Sequence, residues 1–256
     1  MNHLTFHLEP LEARQMLAGN VTAVVNGAGD LIVNGDASAN AISVAVDSLG
    51  DVTVTGHDDT QVDTSGIDRA VSGDIVIRLR GGDDWVTIDN ELATADVRVS
   101  GSGGNDTLTV EGTANSVRML GGSGDDFISM VAATNSATMR GFTGNDHLWV
   151  NPIGDIGSLY MRSFKGDDSV TVIAHFEIAD MTVLTDAGND TITLNDVGAS
   201  GIIEVNLNAG GGDDFFNIDL TETVGVGFGG EGLDQIFSQS SSFGEVNWHD
   251  IEEVLS

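Results

Sequence analysis

Apolar and polar positions alternate along this chain, and the alternation returns at regular intervals with its phase intact. From Gly82 to Asp234 one core recurs: Gly, any residue, Asp, any residue, an aliphatic or aromatic, any residue, an aliphatic. Its instances are GDDWVTI, GNDTLTV, GDDFISM, GNDHLWV, GDDSVTV, GNDTITL, GDDFFNI and GLDQIFS. The aspartates are Asp84, Asp106, Asp126, Asp146, Asp168, Asp190, Asp214 and Asp234, spaced by 22, 20, 20, 22, 22, 24 and 20 residues. Every spacing is even, so a period of two keeps its phase from one repeat to the next. Two residues past each Asp stand Val86, Leu108, Ile128, Leu148, Val170, Ile192, Phe216 and Ile236, and four past stand Ile88, Val110, Met130, Val150, Val172, Leu194, Ile218 and Ser238. Seven before come Ile77, Val99, Met119, Met139, Met161, Val183 and Leu207; nine before come Ile75, Val97, Val117, Ala137, Leu159, Met181 and Val205. Each repeat therefore holds two strands, one leading into the Asp turn and one following it.

Two strands cannot bury their own apolar face. Stacking such units ~4.8 Å apart closes the backbone hydrogen bonds everywhere except at the ends and turns the inward columns into continuous aliphatic ladders. The expected fold is all-β: a parallel β-helix or β-solenoid of about eight rungs of 20–24 residues with a β N-terminal cap. No segment has the 3.6 period of a helical solenoid, and a Greek-key sandwich would not require a fixed repeat. In the last rung Val226 and Phe228 stand one place out of phase, which predicts a slipped terminal rung.

The chain divides on this pattern into residues 1–20, a degenerate lead-in at 21–74, the repeat solenoid at 75–238 and a C-terminal cap at 239–256. In the lead-in, GDASANAISV at Gly35–Val44 reads as an eroded repeat, and Asn40 lies 44 residues before Asp84, the length of two rungs. Asn26-Gly27 and Asn34-Gly35 are turn signals, and DVTVTG at Asp51–Gly56 reads as a strand. Trp248–Leu255 is expected to cover the last rung.

Composition narrows the chemistry. Among the 256 residues are 40 acidic and 9 basic ones, a net charge of −31 that repels nucleic acid and anionic lipid and suits cations. The 34 Gly against 2 Pro fit many tight turns without a collagen period. With no Cys, disulfides and thiolate metal sites are excluded. No apolar run reaches the ~18 residues that span a membrane.

The turn resembles the haemolysin-type (RTX) calcium repeat, whose pattern is G-G-x-G-x-D-x-aliphatic-x. GGSGDDFIS at Gly121–Ser129 fits at every place; GSGGNDTLT at Gly101–Thr109 and GGEGLDQIF at Gly229–Phe237 fit nearly. The resemblance covers roughly the last two thirds of the chain. It implies calcium held between neighbouring turns by carbonyls and by the Asp side chains, hence Asp84, Asp106, Asp126, Asp146, Asp168, Asp190, Asp214 and Asp234 as metal ligands. The family usually has such a turn on both sides of each coil. Here the opposite turns (EGTANS, VAATNS, NPIGDIGS) are ligand-poor, which limits the implication to one Ca2+ column on one edge. At the start of the chain, LEPLEARQMLA resembles the LEPLE-x-R-x-ML-A motif of extracellular proteins of planctomycete bacteria, which implies an exported, extracellular or surface protein. The same segment also reads as a short amphipathic helix after Pro10.

The residues themselves permit two roles for the aspartates. Stacked carboxylates ~5 Å apart repel by roughly 1 kcal/mol per neighbour in water and about 3 at an effective dielectric of 20, which calcium between them would relieve. Alternatively each Asp caps its own turn by accepting backbone amides. The Gly two places before every Asp suggests positive φ or a close backbone approach. Asp84, Asp146 and Asp168 are expected to be the weaker sites, because Arg80, Phe142, Phe164 and Lys165 interrupt their turns.

Two outward features stand apart from the column. Arg78, Arg98, Arg118, Arg140 and Arg162 face outward on the leading strands, either paired with acidic neighbours or as a ladder for an anionic polysaccharide. Trp85, Phe127, His147, Trp149, Phe215 and Phe237 lie outward on the following strands, where they would meet sugar rings or another chain. No Ser–His–Asp order or HExxH occurs, and Lys165 is the only Lys, so a carbohydrate-active enzyme is the least favoured reading. The place three before each Asp is too irregular for an ice-binding array. The expectation is a secreted structural or adhesive calcium module, not an enzyme, partnered by calcium ions and by an extracellular polysaccharide or surface matrix. A polysaccharide-binding module is the alternative.

Overall fold

A computed structural model of the chain describes residues 19–197, 201–220, 224–238 and 246–255. Among these residues every regular element is a β-strand. The first ten are β1 (Asn20–Val25), β2 (Leu31–Asn34), β3 (Ala41–Val46), β4 (Val52–His57), β5 (Gln61–Gly66), β6 (Ile75–Gly81), β7 (Trp85–Asn90), β8 (Asp96–Gly103), β9 (Thr107–Ser123) and β10 (Phe127–Thr143).

They wind into a β-solenoid with about seven coils between Asp84 and Asp234, one for each interval between successive turns. Leading strands stack on leading strands and following strands on following strands, all in parallel. Ile75 of β6 faces Val97 of β8, and Val86 of β7 faces Leu108 of β9. Val97 then faces Val117, Leu108 faces Ile128, and Ile128 faces Leu148. The even repeat spacing is what makes this register possible, since an odd insertion would turn every inward side chain outward. All members of the four aliphatic columns, apart from Ser238, are at most 3% exposed. Each such side chain contributes about 1.5–3 kcal/mol by leaving water. On the edge opposite the Asp turns, β9 and β10 run through the corner as single 17-residue strands, with Glu111, Gly112, Thr113 and Ala114 paired to Val131, Ala132, Ala133 and Thr134.

The lead-in corrects one expectation. Asn40 is one rung from Asp84, not two: Ala41 pairs directly with Trp85, and Leu31 pairs with Ile75. The 44-residue interval is taken up by a detour. β4 folds back antiparallel on β3, β1 lies antiparallel on β2, and β5 lies parallel on β1. These strands cover the first rung and form the β cap expected there. The terminal rung is corrected as well. Its backbone does not slip; Val205 pairs with Gly225 and Leu207 with Gly227, so two glycines occupy the inward places and Val226 and Phe228 turn outward. Gly225 is required there because a Cβ would collide with the Val205 carbonyl oxygen. Beyond it, Val246–His249 and Glu253–Leu255 add one more parallel rung. The segment read as an export signal lies almost wholly in residues 1–18, outside the described residues.

Candidate functional site

Each Asp turn is built on two residues with left-handed backbone. The glycine two places before the Asp has φ between 98° and 149° in all eight turns, as the sequence suggested. A Cβ on Gly144 would collide with the carbonyl oxygen of Gly124 in the preceding rung, so the turns nest too closely for any side chain there. The place four before the Asp is also left-handed in every turn, which the sequence reading missed. Its occupants are Arg80, Ser102, Gly122, Phe142, Phe164, Asp186, Gly210 and Gly230, with φ from 71° to 136°. The signal was there, since three of the eight are Gly; the mixed identities of the other five concealed it.

This backbone turns the eight key aspartates inward. All are at most 3% exposed. Each receives a hydrogen bond from the rung before: the Asp84 N–H donates to Asp106 Oδ1 (2.9 Å), Asp106 N–H to Asp126 Oδ1 (2.8 Å), Asp126 N–H to Asp146 Oδ1 (2.9 Å) and Asp146 N–H to Asp168 Oδ1 (2.7 Å). The series continues through Asp190, Asp214 and Asp234. Both ends are terminated by substitutes. Asn40 donates its N–H to Asp84 Oδ1 at 2.7 Å, and Glu252 Oε2 accepts the Asp234 N–H at 2.7 Å. The alternative in which each Asp caps its own turn takes a different form: the carboxylate caps the amide of the adjacent turn and ties consecutive rungs together. Its own carbonyl does the same in the other half of the contact, as Asp126 O accepts the His147 N–H at 2.8 Å.

The second carboxylate oxygen behaves differently. Oδ2 of all eight aspartates is buried and has no hydrogen-bond partner. In four rungs it leans over a glycine five places earlier (Gly101, Gly121, Gly141, Gly229), where a Cβ would collide with it. Ser163 and Thr185 hold that place in two others, with hydroxyls bonded to the Thr185 and Ala209 carbonyls at 3.3 and 2.9 Å. Burial pushes the carboxyls of Asp84, Asp126 and Asp214 up to about 7, those of Asp106 and Asp168 up to about 6, and that of Asp146 up to about 8, with further upward pressure from neighbouring carboxylates. Asp190 and Asp234 are raised for the same reason. At Asp168 and Asp190 the nearby hydroxyls of Ser163 and Thr185 counter part of the rise. Asp84, Asp146 and Asp168, expected to be weaker sites, are placed in the same way as the other five.

A second column lies just outside the first. Immediately before the key Asp stand Asp83, Asn105, Asp125, Asn145, Asp167, Asn189 and Asp213, a strict alternation of acid and amide. Their bonds run the opposite way along the axis: Asn105 N–H donates to Asp83 Oδ1 (2.8 Å), Asp125 N–H to Asn105 Oδ1 (2.9 Å), Asn145 N–H to Asp125 Oδ1 (2.7 Å), and so on to Leu233 and Asp213 (3.0 Å). Either residue type supplies the oxygen, and alternating them removes every second charge from the exposed stack. Each turn is therefore linked to both neighbours by side chains, through Oδ1 of one column and Oδ1 of the other.

These oxygens define what the edge can hold. Among the described residues no group of three or more His, Cys, Asp or Glu side chains is arranged to bind a metal. A cation on this edge would take Oδ2 from the column and most of its other ligands from main-chain carbonyls of the turns, a donor set that suits calcium, which accepts six to eight oxygens in irregular geometry. The donors are hard oxygens, and an orphaned buried carboxylate oxygen calls for a proton, a water or an ion.

Of the outward arginines, Arg98 pairs with Asp74 (2.7 Å) and Asp96 (2.8 Å), and Arg162 pairs with Asp186 (2.7 Å). Of the outward aromatics, Trp85 meets His57 and Phe127 meets His147 at centroid separations of 5.4 and 5.3 Å. No helix long and apolar enough to cross a membrane occurs among the described residues. Comparison with protein-family models, curated proteins and solved structures yields no match for this chain.

Proposed function

We propose that the chain is a calcium-stabilised structural module that works outside the cell. One observation carries the reading: eight buried carboxylates in register, each with one oxygen bonded to a backbone amide and the other without a hydrogen-bond partner, with only a Ser163 or Thr185 hydroxyl near it at Asp168 and Asp190. Eight such groups, pushed by burial to 6–8 where a value is resolved, are unfavourable as bare anions at neutral pH. A column of divalent cations offsets that cost. Bound calcium supplies positive charge to the column; the aspartates hold it through Oδ2 and keep the rung spacing through Oδ1. The resemblance of the turns to haemolysin-type repeats supports the same ion.

Extracellular calcium would then decide where the protein folds. In low calcium the column is self-repelling; at millimolar calcium binding adds RT ln(1 + [L]/Kd) per site to stability. The N-terminal resemblance to planctomycete extracellular proteins agrees with folding after export. The column is repetitive and does not converge on one reacting centre, as suits a scaffold or adhesive spacer at the cell surface. Circular dichroism and thermal unfolding of the full chain in excess EDTA, then in millimolar calcium or magnesium, tests the proposal. A melting midpoint raised sharply by calcium and little by magnesium supports it. Equal stability in EDTA and calcium at neutral pH refutes it and leaves the aspartates as inter-rung caps only.

A further inference from the structure

The rungs of Asp146 and Asp168 break the economy of the turn. At the left-handed place four residues before the Asp, where Gly122, Gly210 and Gly230 serve without strain, they carry Phe142 (φ 90°) and Phe164 (φ 82°). Bulky side chains in this conformation persist only where the surroundings hold them, and such strain gathers at functional sites. The left-handed backbone leaves both rings half-exposed, stacked on each other at 5.0 Å with planes 5° apart. Arg162 lies over the Phe164 ring at 4.1 Å. Arg140, paired with Arg162 across the rungs, lies 5.8 Å over Tyr160, the only Tyr of the chain. Lys165, its only Lys, is exposed on the rim of a 300 Å3 hollow bordered by the two Phe and Arg162.

Three aromatics and three cations thus meet on two adjacent rungs of a protein with net charge −31. The charges are not all spent internally. Arg162 is held by Asp186, but Arg140 and Lys165 have no ion pair among the described residues, and Arg140 Nε is buried without a hydrogen-bond partner.

We propose that Phe142, Phe164, Tyr160, Arg140, Arg162 and Lys165 form a binding platform for a carboxylated polysaccharide. The aromatic surface suits the C–H faces of pyranose rings, and the free guanidinium and ammonium suit sugar carboxylates and hydroxyls. Asp186 adds an acceptor for hydroxyls. Single-stranded nucleic acid also stacks on aromatics, but its phosphates have no hydrogen to give Asp186, whereas the hydroxyls of a sugar ring can donate to that carboxylate beside the platform while the sugar carboxylate meets Arg140 or Lys165. The platform does not rest on calcium in the turn column.

Calorimetric titration of the full chain in calcium buffer tests it. The probes are an oligogalacturonate too short for calcium to cross-link, a neutral gluco-oligosaccharide, and a single-stranded oligonucleotide of equal length. The oligogalacturonate is expected to bind most tightly. Arg140→Ala and the double change Phe142→Gly/Phe164→Gly should each weaken it by at least about tenfold, the loss typical of a central contact. Arg69→Ala, at an exposed arginine of the lead-in outside both the platform and the arginine ladder, should leave it unchanged. Because glycine relieves the left-handed backbone, the double variant should melt no lower than the parent. The proposal is overturned by absence of oligogalacturonate binding, by preference for the neutral sugar or the oligonucleotide, or by a double variant that melts lower yet binds as before. That last result would make the Phe pair structural packing.

Discussion

Asp146→Asn separates the two roles of the column within one residue. Asparagine keeps an acceptor for the Asp126 N–H, now at 2.9 Å from Oδ1, and adds no volume. It removes a carboxyl that burial raises from 3.8 to about 8, a shift of roughly four units at about 1.4 kcal/mol each. At pH 8 without metal, the parent chain therefore carries a cost of up to about 5 kcal/mol that the variant does not. The new amide N–H2 enters the place of Oδ2, beside Gly141, where no acceptor is provided, and gives back about 2 kcal/mol. The net expectation in EDTA is a gain of about 2–3 kcal/mol, or very roughly 4–12 °C in melting midpoint for a chain of this size. At pH 4 the parent carboxyl is protonated and its charge cost is gone, so the variant should melt slightly lower than the parent, by the about 2 kcal/mol of its unpartnered amide. With millimolar calcium the sign should invert, because the variant lacks a charged ligand in the middle of the column. Differential scanning calorimetry at pH 4 and pH 8, with and without calcium, reads all four cases. A variant that melts lower than the parent in EDTA at pH 8 would refute the electrostatic reasoning. One that responds to calcium as the parent does would remove Asp146 from the metal site.

The metal-free chain should itself lose stability as pH rises. Carboxyls whose folded pKa is raised stabilise fully below their unfolded value near 3.8 and lose that contribution as pH climbs through the folded values of 6–8. Asp30, lowered by the Asp74 amide, and Asp96, lowered by Asn115 and Ser116, act the opposite way below pH 4. A midpoint in EDTA that falls between pH 5 and 8 and is restored by calcium is expected; a rising midpoint would contradict the assignment. Gly144→Ala should cost more than about 3 kcal/mol in urea unfolding, since its Cβ would strike the Gly124 carbonyl at φ 123°, whereas Gly81→Ala, whose nearest neighbour is Gly103 O at 3.6 Å, should cost less than about 1. Asn145→Asp would place three acids in a row with Asp125 and Asp167 while keeping the Oδ1 acceptor for the Asp167 N–H. The expected loss is about 1 kcal/mol per new neighbour at low salt, largely recovered in 1 M NaCl.

The parts of the fold that were legible in the sequence are those fixed by period and phase. Val86, Leu108 and Ile128 could be placed in one column because even spacing leaves a strand only one face to bury. What escaped was set by chain direction and by identity at a single place. The 44-residue interval from Asn40 to Asp84 is two rungs' length of alternating sequence, and nothing in its period distinguishes a coil from the detour through β4, antiparallel on β3, and β5, parallel on β1. Glu252 was hidden because it replaces Asp with a longer side chain after a spacing of 18 residues from Asp234. Phe228 pointed to a slipped strand because the pattern was followed through side chains; the backbone held its register and left Gly225 and Gly227 inside.

The direction of the two side-chain columns explains why a second Asp or an Asn precedes the key Asp in seven of the eight turns. Inner carboxylates accept amides from the rung before, and outer Asp or Asn side chains accept amides from the rung after. An inner residue must be short enough to stay beneath the turn and has to be compatible with burial, so it is Asp in eight rungs and is replaced only at the ends. An outer residue needs only an oxygen, so asparagine serves as well, and the sequence alternates the two. If capping were the sole task of the inner column, asparagine would serve there too, at no charge and with the same Oδ1. Aspartate at all eight buried places, against alternation at the exposed ones, is what the proposed calcium column requires, since under that proposal it is the charge rather than the cap that a bound cation would answer.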